Sequence, residues 1–263
     1  MTPPHAGPAT EPVFVEVLTD EELAVLSTPG PMPVTPYLRD LDPAHADTAR
    51  RTAYRSLVAR GIVDAPTPEP IAAATAASSR EVELMVRQDV RSVVALREAA
   101  QVVVAVARTA AAAQDFWYAH VVDDVVLLEE VSRDGMHRFA LAETEWLLGP
   151  EGLAAAAAVH PDAGDRAEGP DVAVEAEAGD PTPPPAVLEA LGESFVRADV
   201  VVRRPGDTEP PAFALFTGPA GCWCVEAAQP PLVARPVTAE QARGRVADAV
   251  GAVRAEAVTL GRG

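Results

Sequence analysis

The chain of 263 residues contains no lysine and no asparagine, and all 21 of its cationic side chains are arginine. With alanine, valine, proline and arginine so abundant, the two absences carry the stamp of a GC-rich genome, yet they exclude chemistry whatever their origin. Without lysine there is no Walker-A phosphate loop, no Schiff-base lysine and no kinase-type ATP lysine. Without asparagine there is neither a Cys-His-Asn arrangement nor an N-glycosylation sequon. Cysteine is almost as scarce: Cys222 and Cys224 are too few for a disulfide framework or a structural zinc site, which reads as a reducing compartment. Residues 1–12 are proline-rich and lack the basic and apolar regions of a signal peptide. No apolar run reaches the length of a membrane span. A soluble, cytoplasmic protein is expected.

Positive charge is scarce too. The 21 arginines stand against 39 Asp and Glu, for a net charge of −18. Nucleic-acid binding draws most of its affinity from neutralising phosphates, so this balance argues against DNA or RNA as a partner. The 48% hydrophobic and 23% charged content is that of a globular chain, long enough to bury a substantial core.

Residues 1–12 read as a disordered tail and 13–160 as a first half. Within it Val13 to Leu18 has strand character, and Thr19-x-x-Glu22 is a capping box that opens a helix. Asp42-Pro43 starts a second helix that runs to about Arg60 and stops at Gly61. A small helix is expected at Ile71 to Ala77 and a half-buried strand at Glu81 to Arg87. Asp89 to Ala113 suits helix and strand about equally, although its stretch from Val102 to Arg108 has strand character. Strands follow at Phe116 to Val122, Val125 to Val131 and Met136 to Ala140, with connections short enough for an antiparallel meander. A helix from Ala142 to Val159 closes the half. Residues 161–185, dominated by Asp, Glu, Gly and Pro, read as an acidic linker or loop. The second half, 186–260, follows a helix from Pro185 to about Arg197 with strands at Asp199 to Arg203, Ala212 to Thr217, Gly221 to Glu226 and Leu232 to Arg235. A last helix begins after the capping box Thr238-x-x-Gln241. The fold class is α+β, with antiparallel meanders flanked by helices in two quasi-related halves.

No catalytic, cofactor or metal site is expected. The histidines His5, His45, His120, His137 and His160 lack metal-ligand spacing, although His120 and His137 can meet across strands. Cys222-Trp223-Cys224 places both thiols on one face of a strand with Trp223 on the other, which reads as core. The acidic pairs Asp123-Asp124 and Glu129-Glu130, with Glu143 and Glu145 nearby, read as a turn and a solvated edge, because neighbours in a strand diverge. Gly218 to Gly221 reads as a hairpin turn. Phe116-Trp117-Tyr118 stands out among 5% aromatics. Alternation opposes Trp117 to Phe116 and Tyr118, and an aromatic facing solvent is a binding anchor, so Trp117 is the first candidate for protein binding.

The order of these elements resembles a family. The strand Val13 to Val17, then Leu18-Thr19-x-x-Glu22-Leu23, then a helix ending in Ser56-Leu57-Val58-Ala59-Arg60-Gly61-Ile62-Val63-Asp64, is similar to the EspG-like proteins of actinobacterial type VII (ESX) secretion. The strand beginning at Arg80, the hairpin Val121 to Val131 and the helix Glu143 to Val159 follow in the same order. So do the proline-rich loop, helix, meander and last helix of the second half. Gly221-Cys222-Trp223 departs from the family's glycine-arginine-aromatic pattern at this place. The resemblance implies a cytosolic, non-enzymatic chaperone that binds PE/PPE-like helical secretion substrates. An alternative takes residues 42–63 as the last helix of a winged-helix regulator, with Arg50, Arg51, Arg55 and Arg60 meeting phosphate.

Overall fold

Capping chemistry decides where the helices begin. Strand β1 (Val13–Thr19) hands over to α1 (Asp20–Leu26) at Thr19, whose hydroxyl accepts from the Glu22 amide at 3.2 Å while the Glu22 carboxylate accepts from the Thr19 amide at 3.1 Å. Two amides that would otherwise lack partners are thereby satisfied. A single turn, α2 (Pro36–Arg39), precedes α3 (Pro43–Ala59), which Asp42 caps through the Ala44 and His45 amides. Pro43 sits at the first helical position, where its missing N–H has no partner to lose. The chain leaves α3 through Gly61, at a φ of +65° that strains any residue with a side chain.

These elements belong to a computed structural model that describes residues 10–27, 33–65, 84–111, 113–160, 162–165, 171–174, 191, 194–219, 221–226 and 232–260. The helix expected at 71–77, most of the helix expected at 185–197, and most of the tail and of the 161–185 segment lie outside them. Of the strand expected at 81–87, residues 84–87 are described and contribute one isolated bridge, Val63 to Val86. The ambiguous stretch from Asp89 divides in two. Helix α4 (Gln88–Glu98) buries Val90 and Val93 at helical spacing, and the β-branched run that follows forms β2 (Val102–Ala110).

Strands β3 (Gln114–Val122), β4 (Val125–Val131) and β5 (Met136–Glu143) complete the expected meander. The single helix expected over 142–159 is instead two, α5 (Thr144–Leu147) and α6 (Pro150–Ala157). Pro150 has no amide to donate and forces Gly149 into an extended conformation, which breaks the helix. The 161–185 segment contains β6 (Val172–Val174), a strand where a loop was expected. After β7 (Val196–Arg203), β8 (Ala212–Gly218), β9 (Gly221–Glu226) and β10 (Leu232–Val237), the last described element is α7 (Ala239–Leu260), opened by the expected Thr238–Gln241 box.

Among the described residues ten strands form one open, antiparallel sheet in the order β1-β5-β4-β3-β2-β7-β8-β9-β10-β6. Each half repeats one pattern: the first strand of the half lies at the edge, pairs with the last, and the meander runs inward. The halves meet where β2 pairs with β7, from Val103 opposite Arg203 to Ala110 opposite Val196. One sheet face carries a continuous core through both halves, with Val104, Trp117, Leu128, Val200 and Leu215 under Leu147, Ala156, Val246 and Val250 of α5, α6 and α7. On the other face, α1, α3 and α4 lay Leu23, Leu57, Val90 and Val93 onto Leu18, Leu127 and Phe139 of the first half. In the second half that face carries a smaller cluster of Trp223, Phe216, Val225, Ala234 and Leu191.

Candidate functional site

Beneath α1, α2 and α4 the strands carry polar residues in the phase that points toward those helices: Tyr118 and His120 on β3, Glu129 on β4 and His137 on β5. Glu129 is fully buried and accepts four charge-assisted bonds. Arg97 of α4 reaches it as a fork, Nε to Oε2 at 3.0 Å and Nη2 to Oε1 at 3.2 Å. His120 donates from Nε2 at 2.8 Å and His137 from Nδ1 at 2.6 Å. The other nitrogen of His137 lies 2.6 Å from Oδ1 of Asp20, the first residue of α1. An imidazole between two carboxylates must donate from both nitrogens and is therefore the imidazolium.

The electrostatics agree with this geometry. Burial by itself pushes the Glu129 carboxyl up, but the charge of Arg97 and the two histidine hydrogen bonds outweigh it and hold the group well below the usual carboxylate range. Burial likewise works against the His137 cation, and the bonds to Asp20 and Glu129 overcome it, so its pKa lies above the ordinary imidazole value. Two carboxylates are balanced by two cations, the arrangement under which buried charge is tolerable.

The network also builds a surface. The second carboxylate oxygen of Asp20 accepts from the Tyr37 amide at 2.7 Å and the Leu38 amide at 3.0 Å, which fixes α2. The Tyr118 hydroxyl accepts from the Val34 amide at 3.2 Å, and burial pushes its pKa up to about 12, so it stays a phenol. Gly135, at a φ of +71°, lets the β4–β5 turn close on this point: a Cβ there would stand 2.8 Å from Asp20 and 2.9 Å from Tyr37. Outside this scaffold lies an open cleft of about 770 Å³ between α2, the end of the β2–β3 hairpin and the β4–β5 turn. Val34, Leu41 and Phe116 give it apolar walls, Tyr37 stands half-exposed beside it, and Arg39, Asp40, Arg133 and Asp134 line its polar part.

Several expected residues lie elsewhere. Trp117 is only 2% exposed and packs in the core shared with α6 and α7. Alternation assigned its face correctly, but both faces of β3 are covered, so its indole offers no contact surface. The pair Glu129-Glu130 is not a solvated edge, because Glu130 is exposed and Glu129 lies in the buried network. The signal for Glu129 was its phase, two residues from Leu127 and from Val131 on the inward face. Cys222 and Cys224 are buried, and desolvation raises both thiols, Cys224 to about 11. Glu143 and Glu145 are exposed, and Asp123-Asp124 forms the β3–β4 turn. Among the described residues no group of three or more His, Cys, Asp or Glu side chains is arranged to hold a metal ion. The arginines of the winged-helix alternative are partly committed, Arg51 to Asp47 and Arg60 to Glu16 and Glu22.

The fold is that of an α+β protein with a ten-stranded antiparallel sheet, a helical layer pinned by a buried ion network, and an open cleft beside it. No helix among the described residues is long and apolar enough to cross a membrane. Neither a family model nor a curated protein matches the sequence. Among solved structures, the chain is similar to the Mycobacterium tuberculosis type VII secretion system chaperone EspG5, determined in complex with a PE25–PPE41 dimer. The TM-score is 0.40 at 14% identity, over 72% of this chain and 90% of that one.

Proposed function

We propose that this chain is a non-enzymatic, chaperone-like adaptor that grips a helical secretion substrate of the PE/PPE class in the cytoplasm and keeps it soluble. The observation that carries the reading is Tyr37. The residue is 45% exposed beside the cleft, while its own amide is tied to the buried Asp20 carboxylate. An aromatic that stays exposed on a rigid mount, with Arg39 and Arg133 nearby, has the composition of a protein-contact hot spot. The sequence resemblance to the EspG-like proteins supplies the partner class. The occupant is the end of a substrate helix, apolar toward Phe116, Val34 and Leu41 and polar toward the rim.

The test is co-expression with small helical secretion substrates of the PE/PPE class. The expected result is that the substrates remain soluble only together with this chain and co-elute with it on gel filtration. Tyr37→Ala should weaken the complex about thirtyfold, roughly 2 kcal/mol, with the fold intact by circular dichroism. Substrates that are equally soluble alone and form no complex would sink the adaptor reading. A complex unaffected by Tyr37→Ala would remove the cleft from it.

A further inference from the structure

Helix α2 is too short to hold itself. A bond from the Arg39 amide to the Thr35 carbonyl at 3.0 Å closes its single turn, and the side chain of Thr35, its N-cap, makes no capping bond. Pro36 brings no amide, so the donors left over at its start are those of Tyr37 and Leu38, and both go to one oxygen of Asp20. The cap of α2 is thus a residue of α1. The other oxygen of Asp20 meets His137, its one cationic partner among the described residues. Glu129, by contrast, has Arg97 and His120 besides His137.

Loss of a proton from His137 therefore acts unequally on its two neighbours. A neutral imidazole donates from one nitrogen and turns a lone pair toward whatever faces the other. Glu129 keeps its Arg97 fork either way, whereas the fully buried Asp20 becomes an anion without a counter-charge, a state relieved by turning the carboxylate out to water. Turning it out drops the Tyr37 and Leu38 amides together. No other charge stands ready to take the place of His137. Beyond Asp20 and Glu129, Arg97 of α4 and His120 of β3 are bonded to Glu129, and Tyr118 of β3 to the Val34 amide. The other buried carboxylate of α1, Glu22, is paired with Arg60 of α3, and β1 sets apolar Leu18 opposite His137.

We propose that His137 is a proton gate for the cleft: with both nitrogens protonated it holds Asp20 on α2 and the cleft stays formed, and when it gives up a proton α2 comes loose and the occupant of the cleft is released. That the occupant is a helical secretion substrate rests on the adaptor reading, whereas the gate rests on the network alone. Burial opposes the His137 cation, but the bonds to Asp20 and Glu129 outweigh it. The hold is therefore complete below the ordinary imidazole value of about 6.5 and is lost as pH rises through a folded value above it.

The experiment follows amide hydrogen exchange at Tyr37 and Leu38 on the full chain without partner, from about pH 6 to about pH 9 and corrected for intrinsic rate, beside the ring nitrogen shifts of His137. In the wild type both amides should lose protection about tenfold or more, further than those of α4, with a midpoint at the titration of His137. Asp20→Asn should abolish this dependence, because its amide group donates to a neutral His137 while its oxygen still caps α2. His137→Gln should leave both amides poorly protected throughout. A wild type without the loss overturns the gate, as does a midpoint away from the His137 titration or an equal loss in folded Asp20→Asn. Affinity for a PE/PPE-class substrate should fall by the same factor over the same span in the wild type and stay level in Asp20→Asn. A level wild-type affinity across that span also overturns the proposal. If the two amides behave as expected but no such substrate binds at any pH, the gate on α2 is supported and the adaptor reading alone fails.

Discussion

The two halves of the sheet solve one problem with different chemistry. Both place an edge strand beside the last strand of a meander, and both share the apolar core under α6 and α7. They differ on the opposite face. The first half holds its outer helices through Glu129, His137, Asp20 and Arg97 as well as through apolar contacts, whereas the second half presents Trp223, Phe216 and Val225. An apolar layer gains from burial in any arrangement that excludes water, because that force has no direction. A buried ion network is stable only in the arrangement that pairs every charge, so it fixes position, at the expense of tolerance to change. The half with the network is also the half whose cleft needs α2 held in one place.

The strongest way to break the comparison is Glu129→Ala. It leaves Arg97, His120 and His137 buried without their common acceptor, and removing one member of such a set costs about 3–5 kcal/mol. Hydrogen exchange should show the loss first in α1, α2 and α4, with β7 to β9 keeping their protection. Equal loss in both halves would mean that the network serves the whole sheet.

Next in size is a difference in response to pH. His137 has a raised pKa, so its contribution is complete below the ordinary imidazole value, about 6.5, and is lost as pH rises through the folded value. Glu129 has a lowered pKa, so its contribution is present above the ordinary carboxylate value of 4.5 and is lost as pH falls through the folded one. The first half is thus most stable between those two ordinary values and weakens toward alkali as His137 loses its proton. Among the described residues the Trp223 cluster is Trp223, Ala234, Leu191, Phe216 and Val225, none of which titrates. Hydrogen exchange compared at about pH 6 and about pH 9, corrected for intrinsic rate, should show α1 and α4 loosening while β8 and β9 do not. Equal loosening on both sides would remove His137 as the cause.

A third test stays within the second half. Cys224→Ser inserts a hydroxyl into the core beneath α7, at a cost of about 1–3 kcal/mol where it is left unpaired. The wild-type thiol, raised to about 11 by burial, should not react with a thiol reagent at neutral pH until the protein unfolds. Rapid labelling of the folded chain would show that this part of the core opens.

What the sequence reveals of this architecture follows the range of the interaction. Thr19 with Glu22, Asp42 with Pro43, Gly61 and Thr238 with Gln241 act within four residues, and each was readable. So was the opposition of Trp117 to Phe116 and Tyr118, since alternation is local. Whether a face is covered depends on distant helices, and this is why Trp117 read as an anchor but packs in the core. The β2–β7 junction joins segments about a hundred residues apart, and two valine-rich strands carry no mark of which partner they take. Glu129 lay between these cases. Its inward phase between Leu127 and Val131 was visible, but the partners that make its burial tolerable, Arg97 and His137, come from separate elements.

The smallest effect offers the sharpest comparison, because each half opens a helix with its own capping box. In the first half the box glutamate, Glu22, is buried and also bonded to Ser56 at 2.8 Å and to Arg60 at 2.7 Å. In the second the corresponding residue is Gln241, exposed and bonded only locally, to the Thr238 amide at 2.8 Å, among the described residues. Exchanging the two chemistries should therefore give opposite signs. Glu22→Gln keeps the box but removes the charge that Arg60 meets, at a cost of about 1 kcal/mol or somewhat more. Gln241→Glu keeps the box and adds a negative charge at the positive end of the α7 dipole, for a gain of about 0.3–1 kcal/mol at low salt. Denaturant unfolding of both variants at low and high ionic strength measures the signs, and salt should erase the gain at exposed Gln241 more readily than the loss at buried Glu22. If both substitutions destabilise, the neighbouring Glu240 already opposes further charge at the start of α7, and the difference between the halves lies in their buried partners alone.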